Sequence, residues 1–252
     1  MSVRTGLLVG LMLALGACGG DSGQRETSPR TAAQYNAELG IAYLQKNNVS
    51  EARGKIERAL KQDPNNPVVQ TAAALLYDRM GETDRADRHY STVVRLKPKD
   101  PEALNNYAIF LCRNQRAAAG ERMFLEAAAS PLNRQPEMAY TNAAVCARNN
   151  ARPDEAQRYF EQALSVKAGH REAMEQLAAL HLTRGKPEQA RNYVLRLLAG
   201  DPVSAEALWL AVRVERALGN HTAADSYAKR LKADYPSTEQ ARALIASERK
   251  SQ

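Results

Sequence analysis

Three cysteines and four histidines are the residues of this chain most capable of covalent or metal chemistry, and their spacing limits what that chemistry can be. His89, His170, His181 and His221 form no HExxH or other metal-ligand spacing. There is no GxSxG elbow, no glycine loop that would cradle a phosphate, and no short-spaced cysteine pair. The expectation is therefore no catalytic residue, no cofactor, no metal and no small-molecule substrate, with the histidines structural or at the surface. The cysteines divide into two settings. Cys18 stands alone behind an apolar run, while Cys112 and Cys146 are 34 residues apart.

Arg4 precedes nine mostly apolar residues, Leu7–Leu15, and then Gly16-Ala17-Cys18. A basic start, a short apolar run and small residues read as a secretory signal. Nine residues make about 14 Å of helix, less than half a hydrocarbon core, so a transmembrane helix is not expected. Leu15-Gly16-Ala17-Cys18 resembles the bacterial lipobox. That resemblance implies a diacylglycerol on the Cys18 thiol, cleavage before Cys18 and acylation of the new amine. Two or more acyl chains anchor stably where one does not. The alternative is an ordinary signal with a chance cysteine, or an unprocessed buried cysteine. Gly19 rather than Asp follows Cys18, which by similarity to the enterobacterial sorting rule implies the periplasmic face of the outer membrane. Residues 18–30 lack hydrophobic periodicity and read as a flexible tether, at most ~45 Å long. With Cys18 lipidated in an oxidising compartment, Cys112 and Cys146 remain as an even pair that a disulfide would join. The alternative is two buried thiols acting as small hydrophobes.

The elements that position these residues are set by a beat. Ala52, Ala86, Ala156, Ala190 and Ala224 each lie twelve residues before a helix-ending position, filled by Pro64, Pro98, Ala168, Pro202 and Pro236. Successive steps are 34 residues, Gly120 continues the series, and only the step from Gly120 to Ala156 departs, at 36. A 34-residue period marks stacked helix–turn–helix pairs, the tetratricopeptide solenoid. The expected fold is all-α, a right-handed superhelical solenoid of six repeats over 31–236, closed by a capping helix and tail at 237–252. The signal (1–17) and tether (18–30) precede it. Ala241, Leu244 and Ile245 are expected on the packed side of the cap. Leu132 stands where proline is expected, and Asn133-Arg134-Gln135-Pro136 would take up the two extra residues as a longer loop.

Of the 252 residues 44% are hydrophobic and 25% charged, which suits one sizeable globular domain. The net charge of +7 comes from basic residues interleaved with acids, as in Glu57-Arg58, Asp84-Arg85, Asp87-Arg88 and Glu121-Arg122. No stripe of five like charges occurs, so solvated helix faces with i,i+4 pairs are expected rather than nucleic-acid binding.

Within repeats three and four the sequence becomes more specific. Leu104-Asn105-Asn106-Tyr107-Ala108-Ile109-Phe110-Leu111-Cys112 resembles the LNNYG-x-FLC segment of the type IV pilus pilotin lipoproteins, the PilF/PilW family. Asn142-Ala143-Ala144-Val145-Cys146 and Tyr159-Phe160-Glu161-Gln162-Ala163-Leu164 are similar to further segments of that family. Ala108 and Ala144 replace a common glycine, a change that packing tolerates. The resemblance implies an outer-membrane lipoprotein that binds the pilus secretin subunit and promotes its localisation and ring assembly, so that pili and twitching motility depend on it. A tetratricopeptide scaffold for barrel-protein insertion or for a cell-wall enzyme shares the lipobox and the repeats, and stays open as the alternative.

Repeats of this kind bind partners along a concave face built from first helices. By similarity to the repeat pattern that face carries Gln34, Ala37, Ile41, Leu44 and Gln45, then Val68, Thr71, Leu75, Asp78 and Arg79, then Asn105, Ile109, Met138, Thr141 and Val145. Ile41, Leu44, Val68, Leu75, Ile109 and Val145 would form an apolar groove for a partner segment. Trp209 falls on the same face, with cover by the capping helix as the favoured alternative. Asn105 and Asn106 hint at a carboxylate clamp whose cationic partners are not in their usual places.

Overall fold

The structure is a computed structural model and describes residues 29–250; the expected signal, Cys18 and nearly all of the tether lie outside the described residues. The described residues form thirteen α-helices and no strand: α1 Pro29–Gln45, α2 Val49–Gln62, α3 Pro67–Arg79, α4 Thr83–Leu96, α5 Pro101–Arg113, α6 Ala117–Ala129, α7 Pro136–Asn149, α8 Pro153–Val166, α9 Arg171–Thr183, α10 Pro187–Leu198, α11 Ala205–Ala217, α12 His221–Asp234 and α13 Glu239–Lys250. The first twelve pair in sequence, and each pair packs on the next to make a solenoid of six repeats that α13 closes by packing against α11 and α12.

Local chemistry sets the boundaries. Proline at the first turn starts α3, α5, α7, α8 and α10, where the missing N–H has no helical partner to lose. Asp100 caps α5 by accepting from the amides of Glu102 and Ala103 at 3.0 and 3.1 Å, and Asn66 and Ser204 cap α3 and α11 in the same way. Inside each pair the turn passes through a left-handed residue: Asn47, Gly81, Gln115, Ala151, Gly185 and Gly219. These positions repeat the 34-residue step with one 36-residue slip. After each, an amide reaches back five residues, as from Asn48 to Tyr43 and from Glu82 to Tyr77 at 2.9 Å, which satisfies the last carbonyls of the first helix.

The beat of small residues is where helices of a pair touch. Ala52, Ala86, Ala156 and Ala190 have no exposed surface. At Gly40 a Cβ would lie 2.4 Å from Cγ1 of Ile56, so glycine is needed there for closeness. Tyr77, Phe110, Phe124 and Phe160 fill the space beside these contacts. The slip is housed in Ser130–Gln135. Ser130 donates to the carbonyl of Lys99 at 2.7 Å, Asn133 donates to that of Ala127 at 2.8 Å, and Leu132 projects outward, 65% exposed. On α13, Ala241 and Leu244 are buried, but Ile245 turns outward, 37% exposed, against the expectation that all three pack.

The expected i,i+4 pairs occur on exposed faces, as Arg53–Glu57 and Arg230–Asp234, and a second set of ion pairs spans longer separations. Arg113–Asp78, Arg116–Asp87, Arg152–Glu121, Arg184–Asp154 and Arg191–Glu215 each join one repeat to the next, while Lys167–Glu137 ties the end of α8 to the start of α7 within repeat four. Glu121, Glu137 and Glu215 are buried, so each needs its cation, which for Glu121 and Glu215 comes from the neighbouring repeat.

Candidate partner-binding groove

The first helices of repeats one to four present matching register positions to one concave surface. Ile41 on α1, Leu75 on α3, Ile109 on α5 and Val145 on α7 stand at the same place in their repeats. Three connected hollows lie along them. The largest, about 590 Å³, is lined by Ile41, Leu44, Gln45, Leu75, Asp78, Arg79, Tyr90, Asn106, Ile109 and Arg113. A second, about 170 Å³, shares Ile41 and Asn106 and adds Val68 and Thr71. A third, about 390 Å³, shares Ile109 and Arg113 and adds Val145, Asn142, Asn149 and both repeat cysteines.

The six apolar residues expected to form the groove therefore line it, Ile41, Leu44, Val68, Leu75, Ile109 and Val145, but the seventh residue expected of the partner site, Asn105 on the same face, is placed differently. Leu44 contributes little surface, being only 6% exposed, and belongs mainly to the core. Asn105 does not line it. Its carboxamide oxygen accepts from Asn142 at 2.7 Å, tying α5 to α7, while Asn106, one residue on, faces two of the hollows. Ala37 and Thr141 are fully buried. Thr141 donates to the carbonyl of Glu137 at 2.8 Å and its hydroxyl lies 3.0 Å from Nε2 of His170, so it is a packing residue. Gln34 and Met138 are exposed but line none of the three hollows. Trp209 is partly buried with the Arg213 guanidinium 5.9 Å from its ring, so it is neither wholly covered nor part of this groove.

The groove is less apolar than the sequence suggested. The Arg113 guanidinium donates to the Asp78 carboxylate, bridging α5 and α3 across the largest hollow. Tyr90 donates to the same carboxylate at 3.4 Å. Burial, and then the Asp78 charge, push the Tyr90 phenol well above its usual range, so it stays protonated and donates to Asp78. Arg79, the neighbour of Asp78, is exposed with no hydrogen bond or ion pair among the described residues. At the opposite rim, burial would raise the Asp100 carboxyl, but the amides of Ala103 and Glu102 and the Lys97 ammonium outweigh it and hold it below its usual value. The sequence reading named Arg79 and missed Arg113, which one 34-residue step from Arg79 would have found.

Cys112 and Cys146 are joined as a disulfide with Cα atoms 5.7 Å apart, linking α5 to α7 at the edge of the third hollow. Across the 36-residue step the register equivalent of Cys112 is Arg148, so the disulfide joins places that differ by two within their repeats. Among the described residues no group of three His, Cys, Asp or Glu side chains could hold a metal ion, and no helix is long and apolar enough to cross a membrane.

Family profiles described as tetratricopeptide repeat match residues 33–66, 71–134, 149–207 and 206–238. The chain is 26% identical over 240 residues to the type IV pilus assembly protein PilF of Pseudomonas aeruginosa, covering 94% of this chain and 95% of that one. It is 31% identical over 132 residues to an uncharacterised protein of Haemophilus influenzae, covering 52% of this chain and 74% of the relative. Among solved structures it is similar to PilW, described as a widely conserved type IV pilus biogenesis factor, with a TM-score of 0.66 and 27% identity over 84% of this chain and 98% of that one.

Proposed function

Because the chain belongs to the tetratricopeptide-repeat family, whose stacked helix pairs bind other proteins, we propose that it is a docking protein of type IV pilus assembly, a pilotin. In this reading Cys18 carries the lipid anchor, the solenoid lies at the periplasmic face of the outer membrane, and the groove of repeats one to four takes a segment of the pilus secretin subunit. Binding escorts the subunit to the outer membrane and favours its assembly into a ring. The protein acts by docking, without catalysis or cofactor.

The observation that carries this reading is the extent of the similarity to PilF. It runs through 94% of the chain, a span that takes in the irregular third repeat, whereas a shared repeat motif alone would match repeat by repeat. The test is a deletion strain. Loss of surface pili and twitching, with secretin left as monomers outside the outer membrane, is the expected result. Restoration by the wild-type chain but not by Cys18→Ser would assign the anchor. Normal pili and normal secretin multimers in the deletion strain would overturn the proposal, and a defect confined to barrel proteins or cell-wall synthesis would point to another envelope machine.

A further inference from the structure

The groove has a polarity across its width and a repeat along its length, and together they describe the segment it would hold. Along its length, Ile41, Leu75, Ile109 and Val145 supply one aliphatic contact per repeat; the series ends there, since the next two positions are Ala179 and Arg213. α1 packs directly on α3 and α5 touches α7, whereas α3 and α5 meet through the Arg113–Asp78 pair; directly packed helices lie 8–10 Å apart, so the contacts recur at roughly that interval where the first helices pack. A polyproline-type extended chain rises about 3.1 Å per residue and presents every third side chain to the same side, at about 9.3 Å. The floor also holds Asn106, whose amide has no hydrogen-bond partner among the described residues and faces two hollows. An extended main chain has open N–H and C=O groups to meet it, whereas a helix has already paired its own.

Across its width the groove is unevenly charged. Arg79 and Arg113 stand side by side at one register position on α3 and α5, with Asp78 as the carboxylate between them. That rim carries one cation in excess. The opposite rim holds the Lys97–Asp100 pair, 3.3 Å apart, and Glu102, which carries no salt bridge. It carries one anion in excess. A chain with a three-residue period sends one side chain to the floor and one to each rim.

We propose that the groove is selective for an extended acidic–apolar segment, with an aliphatic side chain at every third residue on the floor and carboxylates turned to Arg79 and Arg113. This rests on the reading that the groove is the partner site, and it states the chemistry of what enters. Planar guanidinium groups suit carboxylates, and a carboxylate that reaches Arg113 meets a donor already oriented by Asp78.

The test uses the whole secreted chain and fluorescein-labelled peptides of four Leu-Pro-Asp triplets, with Leu-Pro-Lys and Ser-Pro-Asp counterparts, read by anisotropy. In about 50 mM salt the Leu-Pro-Asp peptide should bind at least tenfold more tightly than either counterpart, and its advantage over the lysine peptide should shrink at 500 mM as screening shortens. Arg79→Glu, at an exposed side chain with no partner to lose, should reverse the preference and gain affinity for the lysine peptide. That gain cannot come from misfolding. Equal affinity for the aspartate and lysine peptides, failure of Arg79→Glu to shift the ratio, or tighter binding of a helix-forming peptide of the same composition would each overturn the proposal. Selectivity measured this way is independent of the deletion phenotype, so the charge assignment and the pilus role can fail separately.

Discussion

Two glycines on second helices, Gly54 on α2 and Gly120 on α6, allow a matched experiment in which one substitution has opposite effects. Alanine in place of a helical glycine contributes about 1 kcal/mol through backbone entropy. At Gly54 an added Cβ meets nothing within 4 Å, so Gly54→Ala should keep that gain. At Gly120 the same Cβ would lie 2.5 Å from the Cys112 sulfur and 2.8 Å from the carbonyl oxygen of Ala108. The sulfur is tied to Cys146 and the oxygen belongs to the backbone of α5, so neither can swing away. Overpacking costs about 1–3 kcal/mol, and these constraints place it at the upper end. After the propensity gain, Gly120→Ala should lose about 2 kcal/mol, and the two variants should differ by about 3 kcal/mol. Thermal unfolding followed by far-ultraviolet circular dichroism should show Gly54→Ala raised by about 2–4 °C and Gly120→Ala lowered by about 4–8 °C. Repeating Gly120→Ala in a Cys112→Ala background removes the sulfur and should recover part of the loss. If both glycine variants rise together, the close approach of α5 and α6 is not what requires Gly120.

The groove predicts that Leu75→Lys or Ile109→Lys, at floor positions that are not fully buried, weakens binding of a partner segment by about 2 kcal/mol, roughly 30-fold in Kd, while melting stays near wild type; unchanged affinity in both would remove the floor from the site. Leu44→Lys should instead unfold repeat one, since that side chain is only 6% exposed. Ala151 holds a left-handed turn at φ 57°, so Ala151→Gly should stabilise by about 1 kcal/mol in urea unfolding, and a loss would show that the turn is not strained. Cys112 and Cys146 close a loop of 34-residue separation, so reduction should lower stability by about 3–4 kcal/mol in the chain-entropy picture, and an unchanged midpoint in dithiothreitol would argue that the unfolded chain gains nothing. Burial, then the Arg85 and Arg88 charges, lower His89, and burial, then Lys186, lowers His181. Both bases bind protons less readily folded than unfolded, so their stabilising effect is full above about pH 7 and is lost as pH falls below the unfolded value of about 6.5. Glu175, raised by burial, acts in the opposite sense. Melting should fall between pH 7.5 and 5.5, and His181→Gln should flatten the slope; a rise on acidification in wild type would contradict the sign.

Much of the groove was legible because register arithmetic carries over from repeat to repeat. Ile41, Leu75 and Ile109 are one period apart, and adding the slip gives Val145. The arithmetic failed where exposure depends on a neighbouring repeat. Thr141 occupies the register of Thr71, yet His170 covers it from the next repeat. Asn105 and Asn106 were indistinguishable in sequence, because only the approach of α7 decides which one meets Asn142. Arg113 and Asp78 lie 35 residues apart, so no local pattern pairs them.

By itself the sequence determined the backbone: where helices start, where each pair turns through a left-handed residue, how many pairs stack, and where the period slips. These follow from contacts within a few residues, such as caps, prolines and small residues at the crossing, and the 34-residue beat repeats them. The tertiary structure decided what the surface is. Which carboxylates are buried against a cation of a neighbouring repeat, which asparagine faces the groove, and how the two cysteines meet all depend on groups about 30 residues distant. A helix's own periodicity states which face is apolar, and the helices packed beside it determine which part of that face remains open to a partner.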